Sequence, residues 1–190
     1  MVYFKPMTAV KSFLEKLEGQ SICLCKNEES AAQEMFEVIE KNRDQLREFL
    51  PWPEKILTVK DQLNYIKITK GSWTQRALFD FGIYILSNQK FIGNIGLHSI
   101  DWRNSRCELG YWIAQEYEGQ GKVSEAISIL EKECFKIGFH RIEIRCSSRN
   151  LKSAQVALRN GYVLEGILKH EMIENKQYRD TMIFAKLAGS

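Results

Sequence analysis

The order of elements along the chain predicts a mixed α/β (α+β) protein, and three observations carry that prediction. Apolar residues recur at helical spacing through the first third of the chain. Two segments rich in β-branched and aromatic residues then flank a short polar turn. Beyond them strand, helix, strand, helix and hairpin follow one another.

The first helical stretch is marked by Ala31, Ala32, Met35, Phe36 and Ile39. Leu46, Phe49 and Leu50 extend it until Pro51 and Pro53 stop it. A second runs over about 59–70, and the chain divides near Trp73. Segments 77–86 and 91–97 read as a hairpin turned by Ser87, Asn88, Gln89 and Lys90, with a third strand at 107–114. Val123, Ala126, Ile127, Leu130, Cys134 and Ile137 line one face of a helix closed by Gly138. Strand 141–146 follows. Asn150 is placed to cap a short helix carrying Ala154, Ala157 and Leu158 and ending at Asn160 and Gly161. Segments 162–173 and 178–187 complete the sheet.

At 190 residues the chain fits a single domain, 1–190, with a helical part at about 26–72 and a core at about 77–187. Its 44% hydrophobic and 27% charged residues are those of a globular protein. Net charge is +3, with basic residues spread along the chain, which argues against a nucleic-acid partner. Met1 to Pro6 shows no export signal, and no run approaches the ~18 apolar residues of a membrane span, so no membrane partner is expected and the location reads as cytoplasmic. Cys23, Cys25, Cys107, Cys134 and Cys146 are odd in number and lack metal-ligand spacing; neither disulfide nor metal is expected.

The chemistry-bearing segment joins the third strand to the long helix through Gly119, Gln120 and Gly121, followed by Lys122, Val123 and Ser124. Glycines spaced by one residue let backbone N–H groups turn inward at the positive end of a helix, and Lys122 adds a point charge, which together suit a pyrophosphate. An isolated match of this kind is equally a tight turn. Two nucleotide classes are set aside. A Walker loop requires glycine at 116 and Ser or Thr at 123, where Glu116 and Val123 stand, and a dinucleotide fingerprint requires glycine at 124, where Ser124 stands.

What remains resembles the GCN5-related N-acetyltransferase (GNAT) superfamily, whose signature is Arg or Gln, two residues, Gly, one residue, then Gly or Ala. Glu116, Gly119 and Gly121 hold those places, and Glu116 departs from the pattern. The runs ELGYWI (108–113), RIEIRC (141–146) and RNGYVLEG (159–166), with Asn150 and Ser153, are similar to the ribosomal-protein N-terminal acetyltransferase (RimJ/RimL-like) branch. LREFLPW (46–52) and GNIGL (93–97) are similar too, whereas residues 1 to about 25 are not. The resemblance implies a mostly antiparallel twisted sheet, flanked by helices and splayed between the family's fourth and fifth strands. It implies acetyl-CoA as cosubstrate, with core 77–187 as its binding unit.

Acetyl transfer to an amine needs a neutral amine, a polarised thioester carbonyl, a proton for the departing thiolate and exclusion of water. By resemblance, backbone groups of Ile113 and Ala114 hold the pantetheine and a backbone N–H holds the developing oxyanion. An α-amino group has a pKa of about 7.7 to 8.0, so one carboxylate suffices as base. Glu108 is the first candidate: strand alternation puts it with Gly110 and Trp112 on one face, with room beside Gly110, and Cys107, Leu109, Tyr111 and Ile113 on the other. Pairing with Arg106 or Arg145 is its alternative. Many relatives donate the proton from a tyrosine seven residues past the helix-capping Asn; here that place is Ala157. Ser153 is then the candidate partner of the sulfur, or simply a first-turn serine. Asn150 serves as cofactor ligand, N-cap or both.

Polar Arg141, Glu143 and Arg145 on a central strand imply a wet groove, lined by Trp112, Arg145, Glu171, Tyr178 and Asp180, or else a plain charge ladder. The three histidines and the other tryptophans receive no role. The branch implies the N-terminal α-amino group of a ribosomal protein as acceptor. A polyamine, amino sugar or antibiotic amine is the alternative and would show carboxylates at Glu171, Glu174 or Asp180. A non-catalytic cofactor-binding module is a third reading. Monomer and homodimer stay open.

Overall fold

The computed structural model describes residues 13–174 and 176–189; the reading of Met1 to Pro6 lies outside them. One eight-stranded sheet runs through the described residues. Its strands are β1 (Lys16–Glu18), β2 (Ile22–Lys26), β3 (Phe79–Ile85), β4 (Phe91–Asp101), β5 (Arg106–Ile113), β6 (Arg141–Ser147), β7 (Val163–Glu174) and β8 (Gln177–Leu187). The spatial order is β1-β2-β3-β4-β5-β6-β8-β7, and every neighbouring pair is antiparallel except β5–β6. Those two run parallel because the helix α4 (Lys122–Ile137) crosses over between them.

Helices cover both faces. Helix α4 and α5 (Leu151–Arg159) pack on one, where Ala126, Ile127, Leu130 and Cys134 join Phe79, Phe81, Leu97, Leu109 and Ile142 in the main core. A fully buried leucine such as Leu130 contributes about 1.5–3 kcal/mol. Helix α1 (Ala32–Lys41) and α3 (Val59–Thr74) cover the other face, where Ala32, Met35 and Ile66 close over Phe91. Helix α3 starts at a capping box in which Asp61 N–H donates to Thr58 Oγ1 and Thr58 N–H donates back to Asp61 Oδ2. Under this layer Asp80 is buried and accepts from Asn27 (2.8 Å), Asn94 (2.6 Å) and Tyr65 (3.1 Å). Burial pushes its carboxyl up to about 6 against those three donors.

The elements expected from periodicity are present, with two differences. The stretch expected as one helix over 31–50 breaks at Asn42, and a short α2 (Arg43–Leu46) continues beyond it. Asn42 Nδ2 donates to Val38 O (2.7 Å) while its Oδ1 accepts from Gln115 N–H (2.8 Å), so the break anchors a second segment of chain. Residues 16–26, to which the sequence assigned no element, form β1 and β2. Ile22, Cys23 and Leu24 are all buried, covered on both faces, so no alternation marks the strand.

Candidate functional site

The loop after β5 is built from backbone. Gly119 (φ 71°) and Gly121 (φ 75°) both lie in the left-handed region, which costs other residues about 1–2 kcal/mol. A Cβ at either would meet nothing within 4 Å, so the inner side of the loop is open. Among the described residues no side chain caps α4, and the amides of Lys122, Val123 and Ser124 have no partner within the helix by its own geometry. These donors, at the positive end of the macrodipole, fit a pyrophosphate.

Contacts from outside hold the loop. Gln120 Nε2 donates to Glu116 O (2.7 Å), and Glu116, the signature position that departs from Arg or Gln, pairs with Lys41 (2.6 Å) and Lys90 (3.0 Å). The two ammonium groups, Lys41 first, hold its carboxyl down at about 2. Glu125 in the first turn of α4 accepts from Gln20 N–H (2.6 Å), Ser21 N–H (2.8 Å) and Ser21 Oγ, and Lys122 Nζ donates to Ser21 Oγ (2.7 Å). The β1–β2 turn approaches so closely that a Cβ on Gly19 would stand 2.4 Å from Glu125 Oε1.

The loop opens onto a cleft of about 730 Å³. Gly119, Gly121, Lys122, Val123 and Ser124 line the end of it that is formed by the glycine loop. Tyr111, Trp112 and Ile113 form one wall; Asn150, Ser153 and Val156 of α5 form the opposite one; Leu46, Phe49 and Leu50 cover it. The cleft exists because the β5–β6 pairing ends at Glu108 opposite Glu143, leaving the remainder of β5 splayed from β6. Ala114 N–H donates to Ile92 O (2.8 Å) and its carbonyl accepts from Tyr117 N–H (2.9 Å), so both its backbone groups are engaged inside the chain. Because N–H and C=O alternate in direction along a strand, Tyr111 and Ile113 turn theirs toward the gap. An extended amide chain such as pantetheine fits there, on Ile113 rather than Ala114.

At the inner end of the cleft, Asn150 caps α5 by accepting from Ser153 N–H (3.0 Å). Ser153 Oγ lies 2.9 Å from Tyr111 Oη. Burial pushes the Cys146 thiol up and Ser153 offsets part of that rise.

Glu108 faces a separate small cavity of about 120 Å³ with Ser99, Arg106, Glu143 and Arg145. It lies 3.6 Å from Arg145 Nε and 3.8 Å from His98 Nε2, and directly across the parallel pair from Glu143. The two carboxylates are driven apart. Burial raises both, but Glu143 accepts from Arg141 (2.8 Å) and Arg145 (3.0 Å), which bring it below the ordinary value. Glu108 stays raised: burial, with Glu143 and Glu171 adding to it, outweighs His98 and Arg145. The room expected beside Gly110 is taken by His98, whose Nε2 would stand 3.1 Å from a Cβ there. Arg106 turns to Asp101 instead.

A family model described as an acetyltransferase (GNAT) domain matches residues 22–163, three quarters of the chain. The chain belongs to the GNAT acetyltransferase family. The ribosomal-protein-serine acetyltransferase of Escherichia coli (strain K12) is 30% identical over 187 residues, 97% of this chain and 99% of that protein. Among solved structures, the microcin C7 self-immunity acetyltransferase MccE in complex with acetyl-CoA and AMP has a TM-score of 0.84 at 27% identity. It covers 88% of this chain and 92% of that one. RimL, the ribosomal L7/L12 α-N-protein acetyltransferase, in complex with coenzyme A, has a TM-score of 0.87 at 23% identity over 91% of this chain and 98% of that one. This GNAT enzyme therefore transfers acetyl from acetyl-CoA to an amine, and the cleft is where the residues present suit that cosubstrate.

The fold of this acetyltransferase brings together Trp112, Ile113, Gly119, Gly121, Lys122, Val123, Ser124, Asn150 and Ser153. Trp112 also packs against Trp52 and Phe91, with ring centroids 5.7 Å apart in each case. Glu171 and Tyr178 stand on the β7–β8 hairpin outside the cleft lining; Glu171 accepts from Thr181 (2.8 Å) and Tyr178 stacks on His170 (5.9 Å). Sequence reasoning missed the α2 cover and the partners Tyr111, Arg149, Lys152 and Arg159. The LREFLPW resemblance was the one signal for the cover. Arg149, Lys152 and Arg159 are ordinary surface cations until α5 places them on the cleft. Among the described residues no helix is long and apolar enough to cross a membrane, and no cluster of three metal-binding side chains occurs.

Proposed function

We propose that the acceptor is the N-terminal α-amino group of a protein, of the ribosomal-protein class on which the full-length relative acts, and that the enzyme works in the cytoplasm. One observation favours this over a polyamine or amino sugar: the four carboxylates expected to line a groove on β6, β7 and β8 each already accept from a donor within the chain. Glu143 is held by two arginines, Asp180 by Lys169 (2.8 Å) and the His170 N–H, Glu174 by Ser147 (3.0 Å), and Glu171 by Thr181.

When bound, acetyl-CoA supplies an activated acetyl group on a sulfur leaving group. The glycine loop and the amides of Lys122, Val123 and Ser124 hold its phosphates; Ile113 and Asn150 orient the arm. The Leu46–Leu50 cover excludes water. Glu108, the carboxylate of the opposed pair that stays raised, takes the amine proton, directly or through water; a base is more effective as its pKa nears the working pH. Ser153 hydrogen-bonds the sulfur as it departs.

The reading is tested with a panel of peptides beginning Ser, Ala or Met, set beside spermidine and glucosamine, with acetylation located by mass spectrometry. A higher kcat/KM for spermidine or glucosamine than for every peptide would sink it.

A further inference from the structure

We propose that Tyr111 is a positioning residue: its phenolic O–H donates to Ser153 Oγ and so leaves the Ser153 proton free to point at the cofactor sulfur. The proposal rests on the reading of Ser153 given above.

Ser153 Oγ carries one proton. Tyr111 Oη lies 2.9 Å from that oxygen and 3.3 Å from the Ser153 carbonyl, so its single proton has two acceptors on one residue. If Tyr111 donated to the carbonyl and Ser153 to Tyr111, the serine proton would be spent and the sulfur would meet only lone pairs. If Tyr111 donates to Oγ, the serine proton stays available. Burial pushes the Tyr111 phenol far up, with Ser153 only partly opposing it, so Tyr111 keeps its proton throughout the working range and is a fixed neutral donor.

Tyr111 shares its strand face with Ile113, which lines the same cleft, so its ring reaches α5 without crossing the sheet. A purely packing tyrosine would need only its ring, which phenylalanine supplies.

The test needs no acceptor. Coenzyme A is bound to the full chain and its thiol is titrated by the ultraviolet absorbance of the thiolate, with the same chain carrying desulfo-coenzyme A subtracted to remove the chain's own cysteines. Ser153→Ala should raise the bound thiol pKa by about one unit, the worth of one hydrogen bond to a charged group. Tyr111→Phe should raise it in the same direction, and the double variant should not exceed Ser153→Ala. Replacing Tyr111 by a ring-fluorinated tyrosine, a stronger donor, should shift it the opposite way. With a serine-initiated peptide, Tyr111→Phe should lower kcat while leaving the KM for acetyl-CoA unchanged. A wild-type thiol pKa in Tyr111→Phe, or a further rise when it is added to Ser153→Ala, overturns the proposal. If Ser153→Ala itself leaves the pKa unmoved with coenzyme A bound, the reading of Ser153 fails and takes the Tyr111 role with it, an outcome distinct from the other two.

Discussion

The two ends of the active cleft are made of different material. At the phosphate end the groups offered to a ligand are backbone amides, positioned by two left-handed glycines and a helix terminus, while the side chains nearby face outward to brace the loop. At the splayed end the groups are side chains, Ser153 with Tyr111, and beyond it, in the separate small cavity, Glu108 lies between His98 and Arg145. A backbone site tolerates side-chain replacement as long as φ is preserved. A side-chain site fails when one atom is lost. This is why Glu116 can stand where relatives carry Arg or Gln: it pairs with Lys41 and Lys90 and lines no part of the cleft.

Glu108→Gln should test that contrast hardest. Loss of a general base is worth about a hundredfold in kcat/KM. The wild-type rate should also show an acid limb, rising as Glu108 deprotonates, with a midpoint above the ordinary glutamate value because burial raises it. Stopped assays from acid to neutral pH should find this limb missing in Glu108→Gln. An unchanged limb removes the base assignment and leaves the enzyme class standing.

At the other end, Gly121→Val puts a β-branched residue at φ 75° and should weaken acetyl-CoA binding on the order of tenfold, read by calorimetry. The kcat at saturation should change far less. A large fall in kcat with intact binding would mean that the loop takes part in the chemistry.

Glu125→Gln should be milder. Burial raises this carboxyl, but hydrogen bonds from Ser21 and the 20–22 backbone more than offset it, so its folded pKa is lowered. A lowered carboxyl pKa stabilises the fold above the unfolded value of about 4.3 and loses that contribution as pH falls through the folded value. The variant should melt roughly 2–4 °C lower at neutral pH, for about 1 kcal/mol after solvent screening, and the gap should close in acid. A gap that widens in acid would reverse the sign of this linkage.

Smallest of all, Glu116→Gln should change the acetyl-CoA KM by less than about threefold, since its ion pairs are solvent-exposed. A tenfold change would erase the distinction between the two ends.

The same contrast separates what was legible in the chain. Gly119, Gly121 and the apolar face of α4 are local patterns, and the loop, its helix and the cofactor class were readable from spacing and resemblance. The capping role of Asn150 was readable for the same reason, since donor and acceptor lie three residues apart. By contrast, Tyr111 and Ser153 are 42 residues apart and Glu125 and Ser21 are 104 apart. Nothing in their spacing marks them. Strand β2 was hidden because it is buried on both faces, and the break at Asn42 because its cause is an amide in a distant loop.

Local periodicity and glycine placement therefore determined by themselves the element types beyond β2, the glycine loop and, through resemblance, the acetyl-CoA chemistry, because each depends on residues within a few positions of one another. The tertiary structure alone decided that β5 and β6 part after Glu108, that Arg145 and His98 flank that carboxylate while Arg141 and Arg145 hold its neighbour Glu143 low, and that Tyr111 meets Ser153. Those are properties of strand register and packing, which fix distances between residues that the linear order leaves far apart.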